Sequence, residues 1–108
     1  MKLYKIFIPK FYNDGKRIET KKTRKIAEDI RRKFGAYSAN PYADFPIIEG
    51  TWTSDSTKKV YRDKLFLIEL FVEDTFKNQE WLKAFKIMVK QELEQEEIFI
   101  IVQNADII

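Results

Sequence analysis

Residues 2–8 alternate between two sides of an extended chain, with Tyr4, Ile6 and Ile8 on one and Leu3, Lys5 and Phe7 on the other. Pro9 then withdraws a ladder donor, so the pattern predicts a first strand over Lys2–Ile8. Asn13, Asp14 and Gly15 mark a turn-rich connection. Beyond it the period lengthens: Thr23, Ala27, Ile30 and Phe34, with Ile26 alongside, recur as one face of a helix over 21–34. Thr20 is the expected N-cap and Gly35 the expected stop, after Arg31, Arg32 and Lys33, whose charges suit the negative end of the helix dipole.

Residues 36–46 carry Asn40, Pro41 and Pro46, which predicts a surface connection that pins Tyr37, Tyr42 and Phe45 against the body. A second strand is expected over 47–53. Ser54, Asp55, Ser56 and Thr57 supply turn chemistry, and Val60 and Tyr61 start a return arm toward Leu65–Val72, long or bulged near Arg62, Asp63 and Lys64. A second helix over 78–94, capped by Asn78, lines up Trp81, Leu82, Phe85, Met88, Val89 and Leu93. Ile98–Val102 is the last strand, with Ile107 and Ile108 as a short extension. The predicted class is α+β: residues 1–108 as one ferredoxin-like βαββαβ plait. Its four-stranded antiparallel sheet carries two helices on one face, with strands in the order four, one, three, two.

That architecture leaves one face of the sheet without helices, and such a face should be polar at alternate positions. Here Tyr4, Ile6, Ile8, Phe66, Ile68, Leu70, Val72, Ile98, Ile100 and Val102 are assigned to the helices. Leu3, Phe7, Leu65, Leu67, Phe71, Phe99 and Ile101 then point the other way. Together they make an apolar patch on the order of several hundred Å², around the limit for a monomer, so a cover is expected. A second copy, giving a homodimer, is the favoured cover. The connection 36–46 or the long hairpin folding under the sheet, an apolar ligand, or a different protein are the alternatives. Trp52, on an edge strand after Gly50, joins the interface candidates, and Lys5 and Glu69 share the face on neighbouring central strands.

Charge adds a second candidate surface. The chain carries +3 overall, but residues 16–33 hold nine Lys or Arg against Glu19, Glu28 and Asp29, which is 9 − 3 = +6, leaving −3 elsewhere. Lys21, Lys22, Arg24, Lys25, Arg31 and Arg32 on the first helix are the residues that would meet nucleic-acid phosphates. The competing reading is a solvated face laced with pairs such as Lys25–Asp29 and Glu28–Arg32. An RNA-stacking sheet would show glycine in its third strand; Leu65–Val72 has none, and Phe7, Phe71 and Phe99 are the only stacking candidates.

With no His and no Cys, imidazole and thiolate chemistry are excluded, along with disulfides and the zinc sites they build. Asp14, Asp63, Glu69, Glu73 and Asp74 are the carboxylates nearest strand ends or the open face, where an acid–base role or a hard metal would have to act; none has a diagnostic spacing. Neither a signal peptide nor an apolar run of spanning length is seen, so a cytoplasmic protein off the membrane is expected, with no cofactor and no resident metal. The expected function is a small non-enzymatic module that self-associates to bind or regulate. Nucleic-acid binding by the basic first helix comes second, and a carboxylate- or metal-dependent enzyme at a subunit cleft third.

Phe34-Gly35 at the end of a helix, Gly50-x-Trp52, the apolar strand Leu65–Val72 and the late Gln95-Glu96 pair together resemble a family of small plait proteins without assigned activity, several of them exported lipoproteins. The resemblance implies the plait fold over nearly the whole chain and carries no site residues with it. The export signal of those relatives has no match here.

Overall fold

A computed structural model describes residues 1–39 and 48–108. The chain runs β1 (Lys2–Pro9), α1 (Thr20–Phe34), β2 (Ser38–Ala39), β3 (Ile48–Thr53), β4 (Val60–Val72), α2 (Phe76–Glu92) and β5 (Ile100–Asn104). All pairings are antiparallel: β1 lies between β4 and β5, while β2 and β3 both pair with β4. Leu65 faces Pro9 on one side and Ile48 on the other, which puts β3 on the edge of β4 away from β1. Ile68 and Glu69 likewise face Ile6 and Lys5 on one side and Ala39 and Ser38 on the other. Among the described residues the sheet counts five strands, since β2 and β3 both lie along the outer edge of β4.

Of the two forms expected for the return arm, long or bulged near Arg62–Lys64, the structure shows the first. The register runs without a break from Thr53↔Val60 to Ile48↔Leu65, and the arm is simply long, at 13 residues. Tyr37, expected to be pinned against the body, is exposed. The companion expectations for Tyr42 and Phe45, and for a cover made by the connection around Pro41 and Pro46, fall outside the described residues.

Strand parity builds one core. Tyr4, Ile6, Ile8, Phe66, Ile68, Leu70 and Val72 pack with Ile26 and Ile30 of α1 and with Leu82, Phe85, Val89 and Leu93 of the second helical segment, so both helices cover the same face. Burial of these side chains, each contributing roughly 1.5–3 kcal/mol, is the main term holding helices to sheet. Trp81 caps the layer between the helices, edge-on to Phe34 and stacked on Phe85, with both ring centroids 5.1 Å away.

Both helix starts differ from expectation. The N-cap of α1 is Glu19, which makes no side-chain cap bond because its carboxylate is engaged elsewhere. Helix α2 begins two residues before Asn78: Thr75 is the cap, its hydroxyl accepting from the Asn78 N–H at 3.1 Å. The stop at Gly35 is as expected, with φ of 88° and its N–H donated to the Arg31 carbonyl at 2.7 Å.

Candidate functional site: the open face of the sheet

The three strands β4, β1 and β5 present a second set of side chains on the face that no helix of the core covers. Across the β1–β4 ladder stand Leu3↔Phe71, Lys5↔Glu69, Phe7↔Leu67 and Pro9↔Leu65. Across β1–β5 stand Leu3↔Gln103 and Lys5↔Ile101, and the Phe7 N–H donates to the Phe99 carbonyl at 3.0 Å, which extends the row. One continuous surface results. Its centre is the Lys5–Glu69 pair, half-buried and directly opposed, in a frame of aromatic and aliphatic groups.

Exposure varies across this surface. Phe71, Phe99 and Ile101 expose 47%, 54% and 47% of their area, Phe7, Leu65 and Leu67 are half-buried, and Leu3 is buried. The gradient follows strand position. Leu3 and Phe7 on central β1 are shielded from both sides, whereas Ile101 on β5 and Phe99 just before it lie at the sheet edge, and Phe71 lies beyond the stretch of β4 that β2 and β3 pair with. Trp52, the eighth interface candidate, stands opposite Tyr61 on the edge strand β3, beyond the stretch of β4 that pairs with β1.

The expected helix-facing set needs one correction. Ile98 is 1% exposed and Ile100 is partly buried against the core, but Val102 is 50% exposed although it opposes Tyr4 on the covered face. Cover by α2 fails progressively along β5.

The basic helix is less free than its charge suggests. Arg31 donates through Nε to Glu28 at 2.9 Å and Arg32 lies 3.7 Å from the same carboxylate, while Lys22 turns inward to the Tyr12 hydroxyl at 2.8 Å and the Glu92 carbonyl at 3.4 Å. Lys21, Arg24 and Lys25 remain on the exposed side. Of the five carboxylates considered for chemistry, Asp14, Glu69, Glu73 and Asp74 are not gathered into one cluster. Asp14 accepts from the Lys16 N–H in its own turn, Asp74 lies 3.8 Å from Lys2 and accepts from Gln79, and Glu69 stands on the open face. Among the described residues no group of three or more acidic side chains is placed to hold a metal ion, and no helix is long and apolar enough to cross a membrane.

Two polar clusters were not anticipated. Tyr12 donates to Glu19 while accepting from Lys22, which ties the β1–α1 connection to the start of α1; that bond holds the Glu19 carboxyl below its usual value. The cue was local, a Tyr seven residues before a Glu on a turn. The second cluster joins distant segments: the Ser54 hydroxyl, fully buried in the β3–β4 turn, meets both oxygens of Glu96 at 3.1 and 2.9 Å. The Thr57 N–H donates to the same hydroxyl at 3.2 Å. Gln95 beside it is buried, donating to the Leu93 and Phe11 carbonyls. The Gln95-Glu96 pair thus clamps the lower end of the fold, and nothing in local periodicity signals such a contact.

No protein-family model and no curated protein matches this chain. Solved structures do resemble it. A phage SAM lyase in complex with S-methyl-5'-thioadenosine superposes with a TM-score of 0.65 at 14% identity, covering 94% of this chain and 79% of that one. A phage SAM lyase in the apo state gives 0.59 at 14% identity, covering 94% and 78%. CutA1 from Oryza sativa gives 0.55 at 14% identity, covering 97% and 82%. At this identity the likeness establishes the α+β fold alone.

Proposed function

We propose that this chain folds as a single plait domain, with β2 and β3 as two pieces of the plait's second strand, and works in the cytoplasm as a self-associating binding module. The open face is its interface, formed by Leu3, Phe7, Leu65, Leu67, Phe71, Phe99 and Ile101 around Lys5 and Glu69, with Trp52 at the margin. The observation that carries this reading is the concentration of half-exposed Phe71, Phe99 and Ile101 on the one face the helices leave open. Placing two such faces together removes apolar area worth roughly 25 cal/mol per Å², and the Lys5–Glu69 pair gives the contact register. Solution mass by light scattering over a dilution series tests it. Wild type should be a homodimer and Leu67→Glu a folded monomer; a monomeric wild type at all concentrations sinks the reading.

A second reading is favoured by the likeness to the phage SAM lyase holding S-methyl-5'-thioadenosine over 94% of this chain. A cleft at a subunit contact would take S-adenosylmethionine, and Glu69 is the carboxylate that register places in the apolar open face. Incubation with S-adenosylmethionine, read by chromatography for S-methyl-5'-thioadenosine, decides it. Product that vanishes in Glu69→Gln supports the enzyme; no product from wild type removes it and leaves the binding module. Phosphate binding by Lys21, Lys22, Arg24, Lys25, Arg31 and Arg32 ranks below both, since Glu28, Glu19 and Tyr12 already engage three of these six.

A further inference from the structure

Strand parity assigns Tyr4, Ile100 and Val102 to the helix-covered side, yet Val102 is half exposed and Ile100 only partly buried. The cause is the path of α2. Toward its end Val89 and Leu93 are fully buried against the sheet, while toward its start the helix stands off from β5. The gap is a cleft of about 320 Å³ lined by Tyr4, Leu82, Ile100 and Val102 as an apolar floor and by Lys2, Asp74, Gln79, Lys83 and Lys86 as a polar rim.

The rim has a sign. Three lysines against one aspartate give +2, and Asp74 is already engaged by the Gln79 amide at 2.8 Å and by Lys2 at 3.8 Å. Lys83 and Lys86 rest on Glu80 and Glu97 at 3.2 and 3.1 Å, carboxylates that lie outside the cleft lining. Each ammonium has three donors, so one outer carboxylate leaves donors for an acceptor inside. Burial, and then the negative charge of Asp74, push the Tyr4 phenol above its usual value, so its hydroxyl stays protonated.

We propose that this cleft binds a small amphipathic acid, an aliphatic or aromatic body carrying one carboxylate. The body lies on Tyr4, Leu82, Ile100 and Val102, and the carboxylate meets Lys83 and Lys86. The volume stands at the lower end of the range of about 300–1,000 Å³ usual for small-molecule sites, which suits a medium-length acyl chain or an aryl acid better than a nucleotide. The site lies on the helix side of the sheet and is independent of the open face.

Amide chemical shifts followed by NMR during titration with decanoate test the proposal, with decylamine as the same body bearing the opposite charge. Decanoate should give saturable shifts at Gln79, Leu82, Lys83, Lys86, Ile100 and Val102, and decylamine should bind at least about tenfold more weakly. Lys83→Gln with Lys86→Gln should weaken decanoate about tenfold while leaving the spectrum of a folded protein. Val102→Trp, which fills the cleft without removing charge, should abolish the shifts. Equal binding of the amine, shifts confined to Phe7, Leu67 and Phe71 on the other face, or an absence of saturable shifts each overturn it.

Discussion

Ile68 and Leu67 are neighbours on one strand and meet opposite fates: the first is fully buried beneath two helices, the second half-buried on a face with no helix over it. The same alternation runs through β1, where Ile6 and Ile8 are sealed and Phe7 is not. Composition does not distinguish the two faces, since both are rich in Leu, Ile and Phe. The difference is what lies above them. A strand that is apolar on both sides is the signature of a sheet buried on both sides. One cover is supplied within the chain by α1 and α2; for the other, the function proposed above supplies a second copy.

The sharpest way to break the comparison is truncation on each side of one strand. Ile68→Ala deletes a fully buried side chain from a packed layer and should cost about 2–5 kcal/mol in urea unfolding. Leu67→Ala, followed at concentrations where the protein is monomeric, should cost under about 1.5 kcal/mol, because its surroundings are already partly water. Equal losses would mean that the open face is packed within the monomer and would remove the reason for a partner.

The covered face was legible in the sequence because period-two strands and period-3.6 helices agree on which residues meet. Ile26 and Ile30 against Ile6, Ile8 and Ile68 follow from parity alone. The apolar open face followed from the same parity. What was not legible depends on paths rather than periods. The gap that α2 leaves beside Val102 is set by how the helix runs across the sheet. The start of α2 was misplaced because Thr75 and Asn78 are both good caps, and only the register of the packed face chooses between them. The Ser54–Glu96 clamp was invisible because it joins residues 42 apart with no shared pattern.

That clamp provides the next test, since it closes the covered layer at one end while the cleft beside Val102 leaves the other end open. Ser54→Ala removes the donor that meets both Glu96 oxygens and the acceptor for the Thr57 N–H, and should cost about 1–3 kcal/mol in thermal or urea unfolding. On the open face, Lys5 and Glu69 stand directly across the ladder, and a double-mutant cycle with Lys5→Met and Glu69→Gln should return a coupling of only about 0.2–1 kcal/mol in the monomer. A coupling that grows in the associated state would show that the pair works between copies.

The smallest expected effect concerns the margin of the covered layer, where Tyr12, Glu19 and Lys22 fasten the β1–α1 connection. The Tyr12 hydroxyl donating to Glu19, with Lys22 3.6 Å away, holds the Glu19 carboxyl below its ordinary value of 4.5. A carboxyl lowered in the folded state binds its proton less readily there than when unfolded. Its contribution is therefore complete above about pH 4.5 and is lost as the pH falls through the folded value. Glu28, lowered first by its bond from Arg31, behaves in the same sense, so some acid sensitivity should survive any change at Tyr12. Tyr12→Phe removes the largest cause acting on Glu19, so it should lower the melting temperature slightly at pH 7, where the contribution is complete, and least in acid, which flattens the drop below pH 4.5 relative to wild type. Identical acid profiles for the two proteins would mean that the phenol–carboxylate bond is not held in solution. The connection would then be fastened instead by Ile18, which is buried in the core with its N–H donated to the Lys10 carbonyl at 2.9 Å.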